Sequence, residues 1–498
     1  MSLNVGSRVR LETYTATIRY IGTVDGYGDQ IWAGLEWDDT NRGKHDGVVK
    51  GKRYFETSHP TSGSLVKIQN VPIPTDLLTE IKSRYAEDDH GDNVIQLNQS
   101  SKKIELIGME KTALRQSNIE KLINIVLDNR NVGFESIDTS VIFILCRELN
   151  LYGNLVYKWS TVKQIMKQFP RIHELNLRRN RMMKYEDDLE LKGNDDRDEA
   201  FSESCKKLVI SECSISEDTI NPVLERFSNV TEVISFGNEL TKFIVTQQVA
   251  SRITTLDLED NLLKSIDAIE GNYINLLHLS VARCSISCLD SFDGSTKFPK
   301  LETLNLRGNV INEWKSVNAL RSLSNLTRLF FDCKNLTSEK GVHVYEVIIA
   351  KLSSLIDLNR FDVSEVERRS AEVRFINKYV LIKDESLKRD HVEDIQRLVK
   401  IHGEPSMDTA QKGLSLVKIR IECGNKVETK KLSLGMTVQK VTDILARLFK
   451  ISSAPNIRLY LVMIDNNKQH RIELDNPIRE FGHYSPSEDR DILVVEHD

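Results

Sequence analysis

The chain has 498 residues, of which 40% are apolar and 28% charged, enough material for about three domains with cores of their own. A formal net charge of −5 excludes a general nucleic-acid binder, which would be clearly basic. No apolar run approaches the roughly 18 residues of a membrane-spanning helix, and Met1 to Arg10 lacks the apolar core of a secretory signal. The seven cysteines are scattered without a CxxC pair, which suits a reducing compartment; Cys284 and Cys288 form a CxxxC that no second pair completes into a zinc site.

Residues 1–70 hold nine of the 24 glycines. Between them lie the β-favouring runs Ser7 to Leu11, Thr15 to Ile21, Trp32 to Trp37 and Ser64 to Ile68. Several short strands with glycine turns predict a small β-barrel, with Trp32, Trp37, Tyr54 and Phe55 available for its core. The run from Gly43 to Phe55 concentrates glycines, cations and aromatics. Glycine lets a ligand approach the backbone closely. Lys44, Lys50, Lys52 and Arg53 add positive charge against Asp46, and Tyr27 and Trp32 flank them as an aromatic wall. Cations beside aromatics suit an acidic peptide that ends in an aromatic residue. The alternative is that the glycines only make turns and the lysines are solvated.

The segments Gly22-Thr-Val, Trp32-Ala-Gly-Leu-Glu-Trp-Asp, Gly43-Lys-His-Asp-Gly, Gly51-Lys-Arg-Tyr-Phe and Gly63 occur in this order. Together they resemble a CAP-Gly domain over nearly all of residues 5–69. The resemblance implies binding of Glu-Glu-Tyr-type tails, that of α-tubulin among them. It points to Tyr27, Trp32, Gly43, Lys44, His45, Asp46, Gly47, Lys52, Arg53, Phe55 and Leu65 as partner-binding residues. Two positions depart from the family pattern: His45 stands where Asn is usual, and Leu65 where many members carry Phe. A histidine at 45 can still donate a hydrogen bond, and could make binding pH-sensitive.

Residues 71–103 read as a linker with one short helix, Thr75 to Tyr85, on a flexible tether. From about residue 104 the chain repeats the pattern L-x-x-L-x-L-x-x-N/C-x-L of leucine-rich repeats. Units are marked at Ile125, Leu149, Leu175, Leu208, Val233, Leu256, Leu279, Leu304 and Leu329, with spacings of 24, 26, 33, 25, 23, 23, 25 and 25. Asn154, Asn180, Cys213, Asn238, Asn261, Cys284 and Asn309 fill the Asn/Cys slot, where a side chain must satisfy buried backbone or tolerate burial. The spacing of 33 marks an acidic insertion at 186–199, either a solvated loop or a contact for a basic partner.

Ser364 and Glu367 form a possible capping box for a helix in a segment that should close the end of the repeats. In the last segment, Leu416 to Cys423 and Lys426 to Leu434 alternate as a hairpin. Thr437 opens an amphipathic helix, and two further strands follow. This order resembles a ubiquitin-like β-grasp domain, here without a terminal Gly-Gly for conjugation. No phosphate loop, HExxH or GxSxG motif appears, so no enzyme and no cofactor are expected.

The chain therefore reads as a multidomain α+β protein. It comprises a CAP-Gly β-barrel at 1–70, a linker at 71–103, a leucine-rich-repeat solenoid at 104–340, a helical cap and linker at 341–413, and a ubiquitin-like domain at 414–498. This order resembles the tubulin-folding cofactors. The resemblance implies a protein of cytoplasm and cytoskeleton that captures α-tubulin and works with cofactors B, C and D in αβ-heterodimer assembly and dissociation. Two other readings stay open: a microtubule-associated CAP-Gly adaptor, and a shuttle to the proteasome through the ubiquitin-like domain.

Overall fold

The computed structural model describes residues 3–85, 118–133, 140–188, 199–292, 296–338, 342–405, 416–451, 457–465, 468–474, 476–477, 479–484, 486–487 and 491–497. Residues 86–117, the body of the acidic insertion at 189–198, and the connector at 406–413 lie outside them. The chain divides into two compact units, Met1–Ile286 with Thr296–Asn309, and Ser287–Ser295 with Val310–Asp498.

The first unit opens with strands β1 (Arg8–Leu11), β2 (Tyr14–Thr23), β3 (Ile31–Trp37), β4 (Val48–Val49), β5 (Lys52–Arg53) and β6 (Gly63–Lys67). An antiparallel sheet runs β1-β2-β3-β6, and β4 and β5 form a separate hairpin. β1 and β6 are the two edges of that sheet, and no pairing among the described residues closes it into a barrel. Val9, Ala16, Ile18, Ala33, Leu35, Trp37 and Val71 make its core.

The helix Leu77–Tyr85 follows. The sequence treats it as a surface element on a tether, but Leu77, Leu78 and Ile81 are all buried. The Thr75 N–H donates to Asn131 O at 3.0 Å, and the Val126 N–H donates to the Tyr85 hydroxyl at 2.9 Å. The helix thus satisfies an edge amide of the first repeat strand and covers its apolar end, as a terminal cap must.

Strands β7 (Asn124–Val126), β8 (Glu148–Asn150), β9 (Glu174–Asn176), β10 (Lys207–Val209), β11 (Glu232–Ile234), β12 (Thr255–Asp257), β13 (His278–Ser280) and β14 (Thr303–Asn305) pair in parallel and in chain order. Their central residues stay in register from Ile125 through Leu149, Leu175, Leu208, Val233, Leu256 and Leu279 to Leu304, and all are buried. Burial of each such side chain contributes about 1.5–3 kcal/mol.

Behind the strands the slot residues form a ladder. Asn261 donates to Ser235 O and Leu258 O, both at 2.9 Å, and accepts from Asn238 N at 3.1 Å and Leu240 N at 3.0 Å. Asn238 donates to Ile210 O at 2.9 Å and accepts from Cys213 N at 2.9 Å. Asn309 repeats the pattern toward Val281 O and the amides of Cys284 and Ile286. The two cysteines in the series donate Sγ–H to Leu177 O and Leu258 O, each at 3.1 Å. Burial pushes their thiols up, Cys213 to about 12 and Cys284 to about 11, so both are inert structural groups. The residue before each slot is left-handed, with φ from 52° at Asp260 to 72° at Gly308.

The second unit contains β15 (Arg328–Phe330), centred on Leu329, with β16 (Asp357–Leu358) parallel to it and β17 (Phe361–Asp362) antiparallel to β16. That reversal ends the parallel run. Helices Val344–Lys351, Glu365–Tyr379 and Val392–His402 pack beside it. The Ser364 capping box forms: the Ser364 hydroxyl accepts from Glu367 N, and the Glu367 carboxylate accepts from Ser364 N, both at 3.2 Å.

β18 (Leu416–Cys423), β19 (Lys426–Ser433), β20 (Ile457–Asp465), β21 (Lys468–Glu473) and β22 (Ile492–His497) form a mixed sheet in the order β19-β18-β22-β20-β21. The helix Val438–Phe449 packs on it through Val438, Val441, Leu445 and Phe449. This domain is not a loose appendage. Arg374 of the second long helix donates to Gly482 O at 2.9 Å, and Val366 packs against the domain's core.

Candidate functional site

A groove of about 470 Å³ opens between β3, the Arg42–Val49 loop and β6, lined by Tyr27, Trp32, Trp37, Arg42, Lys44, His45, Val49, Ser64, Leu65 and Val66. Its walls are built by close backbone approach. Lys44 N donates to Gly63 O at 2.7 Å and Gly63 N donates to His45 O at 2.8 Å, so the loop is stitched onto the start of β6. A Cβ on Gly43 would strike the backbone of Thr61 to Gly63, and one on Gly47, at φ +97°, would strike the Phe55 carbonyl. These two glycines are needed for packing of the loop as much as for ligand access.

Tyr27 and Trp32 meet edge to face, with ring centroids 5.3 Å apart, and form one wall. Trp37 forms another; its indole N–H donates to the Ser64 hydroxyl at 3.0 Å. The Arg42 guanidinium lies 3.6 Å from the centroid of Tyr14 and 4.5 Å from that of Trp37. Leu65 faces the groove, and as a smaller side chain than Phe it leaves the slot wider.

The cations divide sharply. Lys52 pairs with Asp25 at 2.9 Å, which raises its pKa, and Arg53 pairs with Asp46 at 2.7 Å, which lowers that of Asp46. Lys50 sits 4.3 Å from the Tyr27 ring centroid. Asp46 also accepts from Val48 N at 3.3 Å and so shapes the loop from within. Lys44 lines the groove, and its ammonium has no hydrogen-bond or ion-pair partner among the described residues. Phe55 is buried beneath the loop, against Gly34 and Gly47 and edge-on to His45 at 5.8 Å. Among the residues singled out in sequence, the groove thus gathers Tyr27, Trp32, Lys44, His45 and Leu65, while Asp46, Lys52, Arg53 and Phe55 serve the loop that frames it. Trp37, Arg42, Val49, Ser64 and Val66 also line it. Trp37 reads in sequence as core, and the others carry no motif of their own.

His45 Nδ1 accepts from Gly47 N at 3.0 Å, so the neutral ring keeps its proton on Nε2 as a donor. Burial lowers its pKa, and only the charge of Asp46 opposes that. A second proton would have to displace the Gly47 N–H. The ring is therefore neutral at pH 7, and acidic-peptide affinity is expected to stay flat between pH 8 and pH 7. Titrations of the native chain and of His45→Asn should run parallel over that range; a steep rise in the native chain alone would contradict the neutral-donor assignment.

Groove and fold together define a multidomain CAP-Gly protein, in which that domain is joined to leucine-rich repeats and a ubiquitin-like domain. The CAP-Gly domain family model matches residues 5–71. The chain belongs to the tubulin-specific chaperone E family: it is 30% identical to tubulin-specific chaperone E of Mus musculus over 99% of this chain and 98% of that protein. It is 28% identical to the Danio rerio protein of the same name over 98% of both chains. A solution structure of the C-terminal ubiquitin-like domain of mouse tubulin-specific chaperone e is 26% identical over 18% of this chain and 94% of that one, with a TM-score of 0.16.

Proposed function

We propose that this chain is a tubulin-folding chaperone whose CAP-Gly groove holds the acidic, aromatic-ended tail of α-tubulin during assembly and dissociation of the αβ heterodimer. The observation that carries this is Lys44: a cation without a partner among the described residues, set in a groove whose walls are Tyr27, Trp32 and Trp37. An ammonium of this kind takes a carboxylate, and the aromatic walls take a terminal ring. Family membership supports the reading, since the relatives are named as tubulin-specific chaperones. The role is one of binding and not catalysis, exercised in the cytoplasm and at the cytoskeleton. Cofactors B, C and D and the proteasome are the further candidate partners, reached through surfaces other than this groove.

A charge-assisted hydrogen bond contributes about 1.5–3 kcal/mol, so Lys44→Ala should weaken binding of a Glu-Glu-Tyr-ended peptide by at least roughly tenfold. Removing the peptide's last residue should weaken it as well. Fluorescence anisotropy with the full chain measures both. Equal affinity for the intact and shortened peptides would refute the tail-end assignment.

A further inference from the structure

Within the first unit the CAP-Gly domain is fastened to the repeats through Arg10 and Asp38. Arg10 donates to Asn129 O at 2.9 Å and, through its other terminal nitrogen, to Gly153 O. Asp38, next in sequence to the groove residue Trp37, accepts from Arg8 at 2.7 Å and from Arg181 of the third repeat at 3.1 Å. Arg181 begins a cationic strip. Two residues back, Arg179 donates to the Tyr152 hydroxyl at 2.7 Å and shares Glu212 with Arg178, whose Nε donates to it at 3.1 Å. The Arg178 guanidinium lies 4.4 Å from the Phe236 ring centroid.

One feature sets this strip apart from ordinary solvated charge. Its balance is cationic: among the described residues Arg8, Arg178, Arg179 and Arg181 share two carboxylates, Asp38 and Glu212. Three guanidiniums held in place by aromatic and carboxylate neighbours lose little freedom when a further carboxylate arrives.

We propose that Arg178, Arg179 and Arg181 are a second contact for the acidic polypeptide whose end lies in the groove, gripping carboxylates upstream of its terminus. The proposal rests on the groove reading above. With the domain fastened to the repeats through Arg10 and the Arg181–Asp38 pair, a ligand long enough to touch both groove and strip is held at two points, and contact at one raises the effective concentration at the other.

The test uses the full chain and two labelled peptides: the bare end Glu-Glu-Tyr, and a glutamate-rich peptide of about twelve residues with that same end, which extended reaches about 40 Å. The longer peptide should bind roughly tenfold tighter, with the advantage shrinking as salt rises. In Arg179→Gln the affinities for the two peptides should converge. Glu212→Gln, which removes the internal competitor for Arg178 and Arg179, should widen the gap instead. Failure of the bare end to bind would overturn the groove reading. Binding of the bare end with no advantage for the longer peptide, or an advantage that neither variant changes, would overturn the strip.

Discussion

Asn261→Leu is expected to destabilise the repeat region by roughly 3–5 kcal/mol. The side chain has no apolar role. It serves five backbone groups, the amides of Asn238 and Leu240 and the carbonyls of Ser235, Leu258 and Glu259, in a position only 2% exposed. Leucine fills the volume but leaves the two amides without partners, and each buried orphan costs about 1–3 kcal/mol. The carbonyls lose one bond each, a smaller penalty because a carbonyl has two lone pairs. Asn261→Cys should cost less, since Cys213 and Cys284 already stand in this slot with Sγ–H on a carbonyl of the preceding turn. At about 2–4 °C per kcal/mol, the leucine variant should melt on the order of 10 °C lower, followed by far-ultraviolet circular dichroism. Hydrogen exchange should locate the loss at the Asn238 and Leu240 amides. A leucine variant that melts with the native chain would mean the ladder is ornamental.

This ladder was legible in the sequence because two constraints coincide there. Each repeat needs an inward apolar residue, which fixes a marker such as Leu256, and a polar turn-filler five residues later, such as Asn261. Stacking propagates both, so a local pattern carries long-range information. The groove was legible to a lesser depth. Residue types in Gly43 to Phe55 point to an acidic ligand, but a side chain's partner is a fact of tertiary structure. Lys52 and Lys44 look alike in sequence, yet Asp25, 27 residues away, neutralises one and not the other. The same limit hid the packing of the helix Leu77–Tyr85: its apolar spacing is visible, but nothing in the linker's composition says that Val126 offers an amide to Tyr85. Fastening of the CAP-Gly domain through Arg10 and Arg181 had no sequence signal, because single arginines among loops carry none.

The helical segment of the second unit holds the other large expected effect. Lys351 has a side chain with no exposed surface. Its ammonium meets Asp394 Oδ2 at 2.8 Å, Asn318 Oδ1 at 2.8 Å and Asp390 O at 2.7 Å. Burial pulls its pKa down to about 8, with the attraction of Asp394 resisting. His391, edge-on to Trp314 and Phe375 and tilted against Tyr379, is held down to about 3 by burial and by Lys351 and Arg321, so it adds no charge of its own. Asp394→Ala leaves a buried ammonium without its counter-charge and should cost about 3–5 kcal/mol, whereas the paired replacement Lys351→Met with Asp394→Leu should recover most of that. The pH response follows from the direction of the shift. Because the folded pKa lies below the ordinary 10.5, the unfolded chain binds the extra proton between pH 8 and that value, and stability from this group rises with pH across the window. Without Asp394 the folded pKa falls further, so the window opens below pH 8 and the single variant should regain stability between pH 7 and 10 more steeply than the native chain. Hydrogen exchange over 344–351 and 392–402 reads the effect where it arises. A single variant as protected as the native chain at pH 7, or a double variant no better than the single, would show that the ion pair is not what holds these helices together.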